Sequence, residues 1–329
     1  MMWRCGDAVA RLIRSVLCTT GRVRRMTDDF SIYAMEASMT DQRTDTTPAQ
    51  NEANEPYVGK ALESRSFPVT QETLDDYSHG LALSDPSQAG AVPSMLASGS
   101  DNGYFDEICF SNHFGHLWMR QEWELLAPLK VGQSYESTGS ISDIYQRRDR
   151  KVVQYAIDLR DASGELALRS QHHQSFLVEQ QSGELQFRDP KAKPGTRKFD
   201  VPGGEPFGSL ERTITLEMCN RFFGGDTNYH TDREASLKLG FKNVVVGGRM
   251  TMAYLGHILE ERYGAAWWTS GRMDVKFTNP VWENDTVIAR GVELGPLEDE
   301  PDRTAAFVWL AKPDDTIVII ANASVVTTG

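Results

Sequence analysis

The sequence predicts an α+β fold made of two repeated modules, each an antiparallel sheet wrapped around a long central helix. Three observations predict it. Met252, Leu255, Ile258 and Leu259 recur at helical spacing within Met250–Tyr263, and Glu260, Glu261 and Arg262 form its polar end. Strand-like runs separated by turn residues occur in both halves of the chain. Finally, MRQEWELLAPLKVGQ (Met119–Gln133) aligns without a gap with GRMDVKFTNPVWEND (Gly271–Asp285), matching Arg120 to Arg272, Glu122 to Asp274 and Pro128 to Pro280.

Taken in order, the chain opens on an extension, residues 1–55. Residues 1–25 carry six arginines against the single Asp7, a charge of +5, which leaves −17 on the rest of the net −12. This Arg-rich start, with the short apolar stretch Ala8–Leu17, has the composition of a mitochondrial transit peptide. The alternative is sequence upstream of a true start at Met26, Met35 or Met39, which leaves a cytoplasmic protein. Residues 27–55 are polar and acidic, with too few large apolar groups to bury a core, and read as disordered.

The first module is expected over 56–179. Its helix candidate is Gly103–Trp118, followed by strands at Ser134–Ile144, Lys151–Leu159 and Leu166–Val178. A Pro-, Gly- and charge-rich stretch, 180–206, reads as the crossover. The second module, 207–329, holds the Met250–Tyr263 helix, which Gly264 can stop in the left-handed conformation. Strands follow at Thr286–Leu294, Arg303–Ala311 and Thr316–Thr327.

Composition narrows the class of function. At 329 residues and 40% hydrophobic, the chain can bury a sizeable core. Its acidity argues against a nucleic-acid surface, which needs clustered Lys and Arg. No apolar run approaches the roughly 18 residues of a membrane helix. Cys5, Cys18, Cys109 and Cys219 form no Cys-x-x-Cys pair, so neither a disulfide framework nor a zinc site is indicated. No Gly-x-Gly-x-x-Gly or Walker loop is present. His113, His116, His172 and His173 lie in the first half without a comparable acidic pattern, and His172 and His173, adjacent in a strand, point to opposite faces.

The chemistry concentrates in GGDTNYHTDREASLKLGF, Gly224–Phe241. Asp226, Asn228, His230 and Asp232 fall within seven residues, ahead of the helical run Arg233–Leu239. A carboxylate, an amide and an imidazole held together can move protons to and from water. His230, among turn residues, is expected to be partly exposed and near the ordinary imidazole pKa of about 6.5. Asp232 is expected to cap the following helix. The order Asp-x-Asn, His-x-Asp, helix, Gly-Phe resembles the hydratase motif of MaoC-like dehydratases, the (R)-specific enoyl-CoA hydratases of the hot-dog fold. The usual Asp-x-Asn-Pro-x-His is here one residue shorter and lacks the proline.

What the resemblance implies is reversible hydration of an enoyl thioester by acid/base catalysis, with no metal and no cofactor. It implies two fused hot-dog modules, the first non-catalytic. His230 would hold and deprotonate the water with either Asp226 or Asn228. VVVGGRMTMA, Val244–Ala253, resembles the family segment that opens the central helix. There the Gly248 N–H would hold the thioester oxygen, and Arg249, where the family has an apolar residue, would reach a phosphate or carboxylate of the substrate or form a surface salt bridge. The implied partner is an acyl-CoA or acyl-carrier thioester, with a homodimer left open. Two other readings stay open: a hot-dog thioesterase, whose helix carboxylate would be Glu260 or Glu261, and a non-catalytic acyl-thioester-binding protein. Trp267-Trp268 and Phe222-Phe223 read as pocket lining or core.

Overall fold

The computed structural model describes residues 55–83, 92–111, 114–177, 179–180, 182–185, 187 and 200–327. The N-terminal extension up to residue 54, with Cys5 and Cys18, and His113 lie outside the described residues, as does most of the 180–199 stretch.

In chain order the first half runs β1 (Ala61–Pro68), α1 (Gln71–Gly80), a 3₁₀ turn (Ser94–Ser98), α2 (Gly99–Asn102), α3 (Phe105–Ile108), β2 (Leu117–Leu125), β3 (Ser134–Arg147), β4 (Arg150–Arg160) and β5 (Leu166–Leu177). The second runs β6 (Glu205–Thr213), α4 (Leu216–Phe222), α5 (Arg233–Lys238), α6 (Gly248–Tyr263), α7 (Ala265–Ser270), β7 (Arg272–Phe277), β8 (Thr286–Pro296), β9 (Arg303–Ala311) and β10 (Ile317–Val326).

The strands form one ten-stranded antiparallel sheet in the order β1-β3-β4-β5-β2-β7-β10-β9-β8-β6. That order is the same five-strand pattern written twice, the second time reversed. The two patterns join where β2 pairs with β7, with Glu122 opposite Asp274, Arg120 opposite Lys276 and Glu124 opposite Arg272. The gap-free alignment of the two blocks converts the Arg120–Lys276 pair into the Arg272–Glu124 pair. A pseudo-twofold axis therefore passes between Glu122 and Asp274. The junction is clamped by the Arg120 fork, whose Nε and Nη2 donate to the two Asp274 carboxylate oxygens at 2.7 and 2.9 Å. Joining the sheets removes two edges that would otherwise offer unpaired backbone.

The α6 helix is buried almost all round, with Met250, Met252, Ala253, Tyr254, Leu255, Ile258 and Leu259 in the main core. It is a core helix enclosed by sheet and short helices, as its apolar composition requires. Its expected counterpart in the first half is corrected. No long helix spans Gly103–Trp118: within it only the four-residue helix α3 forms, and Leu117–Trp118 already belongs to β2, while the 3₁₀ turn and α2 lie just upstream. The helical run ends at Ile108, because Cys109 is already in extended backbone at φ −80° and ψ 147°.

Candidate active site

The motif loop is built from its ends inward. α4 ends at Phe222, and the chain turns through Gly224 and Gly225 at φ +66° and +81°, a region that favours glycine. Asn228 then shapes the loop: its Oδ1 accepts the His230 N–H at 2.8 Å, and its Nδ2 donates to the Asp226 carbonyl at 3.3 Å. The Thr231 hydroxyl donates to the same carbonyl at 2.6 Å. Asp232 caps α5, its Oδ1 accepting the Ala235 N–H at 2.7 Å, as expected from the sequence.

His230 differs from expectation in two respects. It is 0% exposed, where a turn position suggested a partly exposed ring. Burial also holds its pKa far below 6.5, at about 3; the bond to Val245 opposes this, and His116 and Arg249 add to it. The physical cause is the cage around the ring: Phe223 stacks on it at 4.9 Å between centroids and 12° between planes, and Tyr229 packs against it at 4.0 Å.

Nδ1 of His230 lies 2.7 Å from the Val245 carbonyl oxygen. A carbonyl can only accept, so the hydrogen sits on Nδ1 and Nε2 presents its lone pair. That Nε2 is buried and has no hydrogen-bond partner among the described residues. Val245 stands three residues before Gly248, the first residue of α6, so the imidazole is anchored within about 10 Å of the helix start.

At that start, Gly247 caps α6 in extended backbone and Gly248 follows. Amides of a first helical turn have no acceptor within the helix and lie at the positive end of its dipole. A Cβ at Gly248 would fit tightly, 3.0 Å from Trp118 and 3.2 Å from Phe277. Arg249 Nε donates to Ser98 Oγ at 3.2 Å, and its guanidinium lies 5.6 Å from the Phe222 ring centre.

Beside the loop lies a cleft of about 250 Å³. Both halves of the chain wall it: Tyr77, Leu96 and Asn102 from the first, and Phe223, Asp226, Asn228 and Arg249 from the second. Asp226 is exposed and its carboxylate has no hydrogen-bond partner among the described residues. The structure thus brings Asp226, Asn228 and Arg249 to one cleft, but puts no bond between Asp226 and His230. His230, stacked on Phe223, does not line the cleft, and neither does Gly248. Phe222 and Phe223 line the cleft, whereas Trp267 and Trp268 are core residues that donate to Ser94 Oγ and the Val92 carbonyl. The Val245 carbonyl and the first-half wall were invisible to sequence reasoning, since neither a backbone acceptor nor a contact across the two halves leaves a local pattern.

The other buried acids sit elsewhere. Glu260 is twelve residues along α6 from Gly248, about 18 Å of helix. Its Oε1 accepts both the N–H and the hydroxyl of Ser94, capping the 3₁₀ turn, and burial raises its pKa to about 7. Asp101 accepts from Gln121 and Ser170 at 2.8 Å each, and burial raises it to about 6. Next to it His172 is sandwiched between Trp118 and Tyr155. Cys109 and Cys219 are free thiols.

The fold is that of an α+β protein of double hot-dog architecture, with a polar loop tied by His230 Nδ1 to Val245 ahead of its central helix. Residues 198–304 match the family model of the MaoC like domain. The chain resembles a MaoC-like dehydratase at 14% identity and TM-score 0.62, over 82% of this chain and 98% of that one. It resembles the MaoC-like dehydratase from Phytophthora capsici at 14% identity and TM-score 0.60, over 86% and 100%. A conserved hypothetical protein from Mycobacterium tuberculosis, described as having a double hotdog fold, matches at 11% identity and TM-score 0.54, over 83% and 99%. No curated protein sequence matches.

Proposed function

We propose that this protein adds water reversibly across the C2=C3 bond of an enoyl thioester, giving a 3-hydroxyacyl thioester. The observation that carries the reading is the bare, buried Nε2 of His230, fixed by the Nδ1–Val245 bond near the first amides of α6. His230 accepts a proton from water as the water oxygen bonds to C3. The C2=C3 electron pair moves toward the thioester, and the Gly248 N–H holds the oxygen on which enolate charge develops. The proton that His230 took from the water is then passed on to C2, with Asp226 as the second acid/base group, so that both residues return to their starting state. Water adds as a whole, and nothing is oxidised or reduced.

Between the two partners weighed for His230, Asp226 is the better supported. Both ends of the Asn228 amide are engaged in the loop itself, whereas the Asp226 carboxylate faces the cleft. Asn228 then acts by holding the His230 backbone. Arg249 meets the anionic or polar part of the substrate, delivered on CoA or on a carrier protein.

The test is an assay with crotonyl-CoA and longer enoyl-CoAs. Loss of enoyl absorbance without free CoA is the expected result. Release of free CoA would instead identify a thioesterase, and binding without either change would leave an acyl-thioester-binding protein. The position of Glu260, bonded to Ser94 far along the helix, counts against the thioesterase.

A further inference from the structure

We infer that Phe223 is a shutter between the cleft and the reacting groups, and that it selects which acyl chains reach them. The identity of the ligand rests on the hydratase reading above; the shutter itself rests on geometry.

One ring meets three things. It stacks on the His230 imidazole at 4.9 Å and 12°. It presses on the start of the central helix, where a Cβ added to Gly247 would lie 2.5 Å from Phe223 Cζ. It also lines the cleft beside Asp226, Asn228 and Arg249. Behind it, His230 is 0% exposed, and its Nε2 has no partner among the described residues. A buried polar atom without a partner is costly unless something supplies one. In this proposal the supplier arrives from the cleft, past Phe223.

The chain beside the ring can accommodate the motion. Phe223 is the C-cap residue just after α4, and Gly224 and Gly225 follow it. A Cβ on Gly225 would meet nothing within 4 Å, and one on Gly224 would meet only Asp76 Oδ2 at 3.6 Å. The turn is therefore not wedged by neighbouring side chains. Swinging the ring aside opens a path from Asp226 to Nε2 and to the first amides of α6, which it separates while closed. A ring that must move against an acyl chain also discriminates by bulk near C2 and C3.

The experiment reads His230 directly. Diethyl pyrocarbonate acylates an unprotonated imidazole nitrogen, and peptide mass spectrometry reports each histidine separately. In the wild type His230 should label slowly, like buried His172, while exposed His79 labels fast. Phe223→Ala should speed His230 labelling by about 10-fold or more, and Phe223→Leu by less, with His172 unchanged. In parallel, the kcat/KM ratio of a 2-methyl-branched enoyl-CoA to crotonyl-CoA should rise by about 10-fold in Phe223→Ala. Unchanged His230 labelling in both variants would overturn the shutter, as would His172 and His230 accelerating together in both. Labelling needs no turnover, so an enzyme inactive on every enoyl thioester would sink the hydratase reading while faster His230 labelling still upheld the shutter.

Discussion

Arg150 and Arg303 hold the same position in the two halves of the sheet. Each is buried at the start of its strand, β4 or β9. Arg150 donates to the Gly115 carbonyl at 2.7 Å, two residues ahead of β2, and to Ser175 Oγ on β5 at 3.3 Å. Arg303 donates to the Ser270 carbonyl, two residues ahead of β7, and to Ser324 Oγ on β10 at 3.3 Å. A guanidinium spreads several donors from one point, which suits a place where a loop enters a strand beside a hairpin. The repeat is therefore written in side-chain bonding as well as in strand order.

Arg303→Ala should destabilise the protein by about 2–4 kcal/mol, because the half-buried Ser270 carbonyl and the buried Ser324 acceptors lose their donor. Arg150→Ala should cost a similar amount. Urea unfolding of both variants measures this. A loss under about 1 kcal/mol in each would show that water replaces the guanidinium.

His230→Ala should lower kcat by about 10²–10⁴, the range for a lost general acid/base. Asp226→Asn should approach that loss with the melting temperature unchanged, since the exposed carboxylate bonds to no described neighbour. Asn228→Ala should lower melting temperature and turnover together, because it frees the His230 N–H. Steady-state kinetics with thermal melts separate the two. Mild Asp226→Asn kinetics would return the partner role to Asn228.

The pH dependence follows from burial. With its pKa lowered to about 3, His230 is neutral throughout the neutral range, so kcat/KM should show no inflection near 6.5 from this residue. Stability behaves differently. His172 and His230 are both lowered to about 3 by burial, so the unfolded chain binds protons at pH values where the folded chain does not. Their contribution is present above about 6.5 and is lost as pH falls toward 3. Imidazole NMR titration should find both rings neutral at pH 5, and a His230 titration midpoint near 6.5 would contradict the buried geometry.

Glu260→Gln separates hydratase from thioesterase. Turnover of enoyl-CoA should stay within about 3-fold, because Glu260 caps Ser94 and does not meet the cleft. The wild-type carboxyl is raised to about 7, so its contribution to stability is full below about 4.5 and is lost as pH rises through 7. The neutral glutamine, still able to accept from Ser94, should therefore raise the melting temperature more at pH 8 than at pH 4. Loss of most activity in this variant would move the reacting centre to Glu260.

Periodicity and turn chemistry alone determined much of this molecule. Helix α6, the β9 strand and the hairpins were legible because their apolar residues repeat at the helical or strand period and end at turn residues. The gap-free alignment of Met119–Gln133 with Gly271–Asp285 marked the repeat, because a twofold relation keeps sequence spacing; that these blocks hold the joining strands came from the structure. Asp232 as a cap and the grouping of Asp226, Asn228 and His230 were equally local. The first-half helix was misread: Gly103–Trp118 looked helical by analogy, whereas only Phe105–Ile108 is helical there and Cys109 is already extended. Tertiary structure alone decided that His230 is fully buried, which nitrogen carries its proton, and that Phe223 covers it. Those depend on the Val245 carbonyl and on walls contributed by residues far away in the chain. Burial and backbone bonding are properties of the packed whole, and no residue pattern within the loop encodes them.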